Sequence, residues 1–323
     1  MRDAAATCAP QSGFAGRVRG VEAGVTSLSS GSQTDFTFPR FPVLVRGGGD
    51  LGSGVAHRVA RAGFPVVIAE VAAPLAVRLG ASFAQAVWEG EAHVDGLTAR
   101  RVPGPDSVQF CWRSGAIPVV IAAEFERWDE VSIAAVVDAR MLKRAGDPIG
   151  AGSPLTVGLG PGFRAGTDCH AVVETQRGHW LGRVYWRGGA SDDSGVPDAV
   201  HGRLGERVVR APTAGVIRCI AAIGDPVRAG VPIAEIDGTP IRAAIDGVVR
   251  GLIHDGVAVS EGLKIGDIDP RGLREHCFTI SDKALAVGGG ALAAILESIQ
   301  FRHSLNPGGR LRPPASTEMG QPP

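Results

Sequence analysis

Several features that define common protein classes are scarce in this chain of 323 residues. Its apolar runs, such as 116–123, are far shorter than the roughly 18 residues that a membrane helix needs. The formal net charge is zero, and no basic block could neutralise a nucleic-acid backbone. We therefore expect neither membrane insertion nor a nucleic-acid partner.

The sequence also lacks closely spaced cysteine pairs and contains few lysines. The five cysteines are scattered, with no C-x-x-C pair and no sequence sign of export, which favours a reduced, cytoplasmic protein. Lysine occurs only at Lys143, Lys264 and Lys283, whereas arginine is abundant, a bias typical of a bacterial genome rich in GC. Residues 1–40 and 302–323 contain few large apolar side chains and are predicted to be disordered extensions.

A stretch over residues 43–70 organises the rest of the chain. It begins with a short apolar run and continues with the glycine-rich residues Gly47, Gly48, Gly49, Asp50, Leu51 and Gly52. A helical pattern and a second apolar run, which ends at Glu70, complete it. This order predicts a strand, a phosphate-binding turn, a helix and a strand.

The glycines of this stretch fit the pattern G-x-G-x-x-G, in which glycine permits a tight turn and a close approach to a pyrophosphate. The N–H groups that begin the helix would face the phosphate. Glu70 lies 18 residues beyond Gly52, where a carboxylate can accept hydrogen bonds from ribose. We predict a dinucleotide or nucleotide site here; the alternative is a turn of the same shape with a vacant site.

The spacing of apolar residues after this stretch predicts further strands and helices. Residues 74–87 show a helical pattern, 90–101 predict a hairpin or edge strand, and 117–122 and 133–138 predict buried strands. We therefore predict an α/β class, with a Rossmann-like, NAD(P)-binding-type domain over residues 41–205 and a largely parallel sheet.

Other polar residues follow the predicted strands. Asp138, Arg140 and Lys143 could bind an anion at a strand end, or could be ordinary charges at a helix start. Cys169 and His170 are metal-capable types, but adjacent residues of a strand face opposite sides, so we predict no metal site.

Residues 206–270 contain an internal repeat with an offset of 32 residues. Gly215 corresponds to Gly247, Gly230 to Gly262, and Asp237 to Asp269. Two such halves resemble the barrel-sandwich hybrid of biotinyl and lipoyl carrier domains, so we predict a small all-β module of that type. The turn at 237–240 has no lysine, which argues against covalent biotin or lipoate.

Residues 271–301 predict a C-terminal helical segment that packs back on the first domain. The run 288–290 is all glycine, which predicts either close packing against another backbone or a break between two helices. Reactive side chains are sparse, and the candidate catalytic residues are Cys277, Lys283, Lys143 and Cys169.

Seven motifs occur in one order along residues 42–300. They are Val-Arg-Gly-Gly-Gly-Asp-Leu-Gly-Ser-Gly-Val-Ala-His-Arg, Phe-Pro-Val-Val-Ile-Ala-Glu, Pro-Leu-Ala-Val-Arg, Asp-Ala-Arg-Met, Gly-Leu-Gly-Pro-Gly-Phe, Cys-His-Ala-Val-Val-Glu-Thr-Gln-Arg-Gly-His and Phe-Thr-Ile-Ser-Asp-Lys-Ala-Leu-Ala-Val-Gly-Gly-Gly. With these motifs the chain resembles the YqeB-like family of the selenium-dependent molybdenum hydroxylase system.

The resemblance implies an accessory protein that acts with a molybdenum hydroxylase and other maturation factors. On this basis the ligand of the glycine-rich loop would be NAD(P) or a molybdenum cofactor dinucleotide, and Cys277 or Cys169 could handle selenium. One alternative is an NAD(P)-dependent oxidoreductase, which would need Lys143, His170 or Lys283 as a proton donor. Another is a non-catalytic scaffold with a vacant Rossmann site.

Overall fold

The computed structural model describes residues 41–124, 131–142, 154–192 and 205–304, without the side chains of 300–304. The two predicted disordered extensions lie outside these ranges, apart from 302–304, which are helical. Lys143 also lies outside them. Among the described helices, none combines the length and apolar character that a membrane span requires.

The first part of the chain forms eleven strands in the described ranges. They are β1 Val43–Arg46, β2 Val66–Glu70, β3 Glu91–Val94, β4 Leu97–Arg101, β5 Ile117–Ile121, β6 Ala135–Asp138, β7 Leu155–Leu159, β8 Arg164–Ala165, β9 Ala171–Val173, β10 Val184–Tyr185 and β11 Gly188–Gly189. Nine of these strands form one sheet in the order β10-β9-β7-β6-β1-β2-β5-β4-β3, while β8 pairs with β11. The inner strands are parallel, and the outermost strand at each edge is antiparallel to its neighbour.

Within the described ranges, few helices accompany these strands. They are α1 Asp50–Arg61, α2 Gln85–Glu89, α3 Pro105–Arg113 and α4 Asp282–Ser304, with short 3₁₀ turns at Leu79–Ala81 and Arg274–Cys277. Helices α1 and α4 share one apolar core with one face of the sheet, and α3 packs against the other face. The alternation of a strand explains this division, because Val66 and Ile68 belong to the first core whereas Val67 and Ala69 belong to the second.

Helix α4 packs on α1 through direct backbone contact. A Cβ on Gly54 would lie 2.3 Å from the carbonyl oxygen of Ala284, and one on Gly288 would lie 2.4 Å from that of Gly54. A Cβ on Gly290 would approach the Gly182 carbonyl, whereas Gly289 has no neighbour within 4 Å. The glycine run therefore lies inside an unbroken helix, and two of its members permit the approach of another backbone.

The second part of the chain is an all-β module, which we call the β module. Its strands are β12 Val208–Arg210, β13 Gly215–Cys219, β14 Pro226–Val227, β15 Pro232–Ile236, β16 Thr239–Arg242, β17 Gly247–Leu252, β18 Ala258–Val259 and β19 Lys264–Asp269. They form two four-stranded antiparallel sheets, β12-β19-β17-β14 and β16-β15-β13-β18, around one core. The strands β13, β14 and β15 recur 32 residues later as β17, β18 and β19.

The β module contacts the α/β part at several points. A Cβ on Gly251 of β17 would lie 2.7 Å from the carbonyl oxygen of Val77. Trp88 of α2 packs against the core of the module, and its ring stacks on His254 with ring centroids 4.1 Å apart. These contacts fix β17 beside the segment that precedes the 3₁₀ turn at Leu79–Ala81.

The predicted fold class, a Rossmann-like domain plus a barrel-sandwich hybrid module, is wrong. The structure is a mixed α/β fold with many strands, few helices and antiparallel edges. One reason is that residues 74–87 form a 3₁₀ turn and the start of the five-residue α2 instead of one helix. A Cβ on Gly80 would meet the Cys277 carbonyl at 3.0 Å, so distant residues determine the backbone there. The hairpin predicted at 90–101 and the buried strands at 117–122 and 133–138 are confirmed.

Candidate functional site

The glycine-rich loop, residues 47–52, joins the carboxyl end of β1 to the first turn of α1. Gly47 has a φ of 93°, a conformation that side chains rarely adopt, and its N–H donates to the carbonyl of Ala69 at 2.8 Å. A Cβ on Gly52 would lie 1.9 Å from the Gly47 carbonyl oxygen. These two glycines are therefore required by the fold of the loop itself.

The carbonyl of Gly48 holds the loop rigid. It accepts hydrogen bonds from the hydroxyls of Ser53 and Ser82 at 2.9 and 2.8 Å, and from the N–H of Ala84 at 2.9 Å. Ser53 and Ser82 are both buried. The loop is thus preorganised by its neighbours, which sequence reasoning missed because Ser82 is distant in the chain.

Gly49 is the position of the loop that faces open space. A Cβ there would have Ala76 as its nearest neighbour, at 4.0 Å, and its φ of −68° suits any residue. Gly49 is also the N-cap of α1, which has no side-chain capping hydrogen bond. The N-terminal N–H groups of a helix that lacks such a cap can bind an anion.

Glu70 lies beside the loop at the end of β2. Its Oε2 accepts a hydrogen bond from the Gly48 N–H at 2.6 Å, and its Oε1 accepts one from the Val71 N–H at 2.8 Å. The carboxylate therefore positions the loop through backbone groups. Its binding of a ribose stays a prediction.

Asp50, in the first turn of α1, pairs with Arg78. The Arg78 guanidinium donates to the Asp50 carboxylate at 2.6 Å and to the carbonyls of His276 and Thr279 at 3.0 and 2.9 Å. Arg78 is only 7% exposed, and its Nε has no hydrogen-bond partner among the described residues. Arg78 neutralises the carboxylate nearest the helix N-terminus, which would otherwise repel an anion.

The neighbouring strand end carries a second charged group. The buried Asp138 carboxylate accepts hydrogen bonds from Arg46 at 3.2 Å and from Arg140 at 2.6 Å. Both guanidiniums are partly exposed. The anion-binding role of Asp138 and Arg140 stays a prediction, and Lys143 lies outside the described residues.

The catalytic candidates are dispersed. Cys169 and Cys277 are fully buried, and burial raises the pKa of Cys277 and raises that of Cys169 to about 12. Both thiols are therefore protonated at neutral pH, unlike an activated thiolate. Lys283 is the second residue of α4 and is half-buried. The catalytic roles of these residues stay predictions.

His170 and the other potential metal ligands do not converge. The Nδ1 of His170 accepts a hydrogen bond from the Thr156 N–H at 3.0 Å. Within the described ranges, no group of three or more histidine, cysteine, aspartate or glutamate side chains could hold a metal ion.

One buried acid, Glu174, has a structural role that no sequence motif indicated. Glu174 accepts hydrogen bonds at 2.8 Å from the N–H groups of Thr175 and Gln176 with one oxygen, and from the N–H and hydroxyl of Ser191 with the other. Four donors satisfy this carboxylate. It therefore fixes the loop after β9 instead of offering a free base.

Comparison with known proteins gives one relative with substantial sequence similarity. The chain is 46% identical over 254 residues to the protein named "Uncharacterized protein YqeB" from Escherichia coli strain K12, a match that covers 79% of this chain and 47% of the relative. The chain thus spans about half the length of that relative. No protein-family model matches the chain.

A solved structure also has some similarity. It is the crystal structure of an aspartoacylase family protein from Mesorhizobium loti, with a TM-score of 0.23 and 12% identity over 72% of this chain and 86% of that one. A TM-score this low supports no functional comparison. The Escherichia coli protein is a relative to which this chain is similar over the matched 254 residues.

Proposed function

We propose that this protein is an accessory factor in the maturation of selenium-dependent molybdenum hydroxylases, and that it binds a nucleotide-containing ligand at the glycine-rich loop. The role follows from the resemblance to the YqeB-like family, which the 46% identity to the Escherichia coli protein supports. The ligand class follows from the loop. The observation that carries it is the open space beside Gly49 at an uncapped helix N-terminus.

The ligand would place a phosphate against the first turn of α1. Gly49 admits a close approach because the nearest atom to a Cβ there is 4.0 Å away. The rigid Gly48 carbonyl and the Glu70 carboxylate hold the loop in place before the ligand arrives. Preorganisation of this kind reduces the entropy lost on binding.

NAD(P) and a molybdenum cofactor dinucleotide both contain the diphosphate that such a loop can bind, and both remain candidates. The partners would be a molybdenum hydroxylase and its other maturation factors in the cytoplasm. Covalent biotin or lipoate is not part of the proposal, because the tight turn at Asp237 and Gly238 joins β15 to β16 without a lysine.

A Gly49→Val variant tests the site. We expect NAD, NADP, CTP or molybdopterin cytosine dinucleotide to bind the wild-type protein in calorimetric titrations, and the same ligand to bind Gly49→Val at least about tenfold more weakly, because the side chain would occupy the phosphate position. Hydroxylase activation by the variant should fall in a reconstituted maturation assay.

Gly104→Val is the matched control. Gly104 is also a helix N-cap without a side-chain capping hydrogen bond, and its backbone is extended. Apart from its chain neighbours, none of the described residues has an atom within 4 Å of the position that a Cβ would take there. This variant should bind the ligand as the wild type does. Failure of all four ligands to bind, or equal binding and activation by Gly49→Val and wild type, would refute the proposal.

A further inference from the structure

The internal repeat places an arginine and an acid at equivalent positions in its two halves. In the first half, Arg218 of β13 donates to Glu235 of β15 at 2.6 Å, and this pair is solvent-exposed. In the second half, Arg250 and Asp267 occupy the equivalent positions, but their closest charged atoms are 3.8 Å apart. The second arginine has therefore lost the close partner that the repeat provides for the first.

In the second half of the repeat, the acids form hydrogen-bonded ion pairs with other arginines. Arg207 donates to Asp267 at 2.5 Å, and Arg271 makes a bidentate pair with Asp269 at 2.6 and 2.9 Å. Both acids are buried. Arg250 is left 3.7 Å from Asp269, and Lys264 is left 3.9 Å from Asp267.

Arg250 and Lys264 thus form only long ion pairs, at 3.7–3.9 Å, with the carboxylates of Asp267 and Asp269. The side chain of Arg250 is only 13% exposed, and its Nε has no hydrogen-bond partner in that part of the chain. Desolvation lowers the pKa of both groups, and the nearby charge of Arg78 lowers that of Arg250 further. Partly buried cations of this kind are stabilised by an additional anion.

The two cations lie on the side of the β module that adjoins the glycine-rich loop. Strand β17, which carries Arg250, contacts the segment of Val77. That segment continues into Arg78, whose guanidinium holds Asp50 at the start of α1. Lys264 lies beside Arg250, because the two cations share the Asp267 carboxylate at 3.9 and 3.8 Å respectively.

We propose that Arg250 and Lys264 form the second wall of the ligand site and bind the diphosphate group of the dinucleotide whose phosphate contacts the first turn of α1. This inference rests on the proposed function, which it extends by assigning the β module a direct part in binding. The long ion pairs of the two cations support it, together with the Nε of Arg250, which has no hydrogen-bond partner among the described residues. Arginine and lysine commonly bind phosphate in this way.

The test uses Arg250→Gln, Lys264→Gln and the control Arg218→Gln, all in the full chain. Arg218 occupies the equivalent position in the first half of the repeat but is exposed and paired with Glu235. Inorganic pyrophosphate, ADP-ribose and adenosine are titrated into each protein by calorimetry. We expect pyrophosphate and ADP-ribose to bind about tenfold or more weakly to each of the first two variants, with Arg218→Gln unchanged and adenosine not binding detectably.

The outcomes separate this inference from the function on which it rests. Pyrophosphate binding that weakens in Arg250→Gln and Lys264→Gln but not in Arg218→Gln supports a diphosphate subsite at these residues, whereas failure of every dinucleotide to bind refutes the proposed function. Dinucleotide binding that Gly49→Val abolishes but Arg250→Gln and Lys264→Gln leave unchanged overturns the subsite alone. Equal weakening in all three glutamine variants shows non-specific attraction only and overturns it too. Thermal melting of each variant shows that it is folded.

Discussion

At the scale of single residues, the glycine-rich loop contains glycines of two kinds. Gly52 has no room for a side chain, because its Cβ would lie 1.9 Å from the Gly47 carbonyl oxygen. Gly49 has room and an ordinary backbone conformation. The motif is therefore partly a requirement of the fold and partly available to a ligand.

This difference predicts unequal effects of the same substitution. Gly52→Ala should lower the free energy of unfolding by more than about 3 kcal/mol, because the loop must open to admit the methyl group. Gly49→Ala should change it by less than about 0.5 kcal/mol. Urea denaturation of both variants measures the difference, and similar losses in the two would contradict the distinction.

Asp269 predicts how stability depends on pH. Burial acts to raise its pKa, but the hydrogen bonds from Arg271 and the charges of Arg271 and Arg250 outweigh burial and hold that pKa below its ordinary value. A carboxyl group with a depressed pKa in the folded state stabilises the protein fully at pH values above its unfolded-state pKa, which is about 4. This stabilisation is lost as the pH falls through the folded-state pKa of the group.

Arg271→Gln should remove most of this contribution. We expect the free energy of unfolding at pH 7 to fall by about 3 kcal/mol, because a buried carboxylate loses its bidentate partner. The pKa of Asp269 should rise, so the acid-induced loss of stability should begin at a higher pH than in wild type. Denaturation curves between pH 3 and pH 7 test this, and identical pH profiles would show that Arg271 does not hold the pKa down.

At the scale of elements, the contact between α1 and α4 depends on backbone approach. Gly288→Ala should lower the free energy of unfolding by more than about 2 kcal/mol, because its Cβ would overlap the Gly54 carbonyl. Gly289→Ala, the adjacent control, should stabilise the protein by about 0.5–1 kcal/mol, because alanine favours a helix and, apart from the helix's own nearby backbone and the chain neighbours of Gly289, no described residue has an atom within 4 Å of the added Cβ. Thermal unfolding of the two variants measures both effects, and destabilisation by both would contradict the packing.

The sequence predicts these elements unequally, and distance along the chain explains the difference. The strand, loop, helix and strand over residues 43–70 were predictable because each has a local signal, whether apolar runs or glycines. The segment 74–87 was not, because Gly80 is shaped by contact with residue 277. The long ion pairs of Arg250 and Lys264 gave no signal either, since they depend on how distant strands of the β module pack together.

Glu70 lies where the sequence predicted it, but its carboxylate contacts backbone groups of this protein. Its place at the end of β2 was predicted, but in the structure its carboxylate binds the N–H groups of Gly48 and Val71. A sequence pattern locates a carboxylate near a loop. The pattern does not determine which hydrogen-bond donors the carboxylate pairs with in the folded protein.

At the scale of the whole molecule, Arg78 joins the glycine-rich loop to the C-terminal part of the chain. Its contacts reach Asp50 in one direction and the carbonyls of His276 and Thr279 in the other. These contacts of Arg78, together with the contact of Gly251 with Val77, join the β module to the mixed sheet.

We therefore expect a single cooperative unfolding transition in calorimetry. Arg78→Met should lower the free energy of unfolding by about 3 kcal/mol, because it leaves a carboxylate and two carbonyls without their donor. Arg100→Met, which breaks only the exposed pair with Glu91, should cost less than about 1 kcal/mol. Two separate transitions in the wild-type protein would contradict the coupling.

The stack of Trp88 on His254 gives this arrangement an optical consequence. The indole belongs to the α/β part and the imidazole to the β module, and their rings are nearly parallel, at 11°. Indole fluorescence is sensitive to an imidazole in contact with it, so the emission of Trp88 reports the separation of the two parts without an added dye. The difference in emission between wild type and Trp88→Phe during a pyrophosphate titration would therefore measure any movement at the boundary between the β module and the mixed sheet.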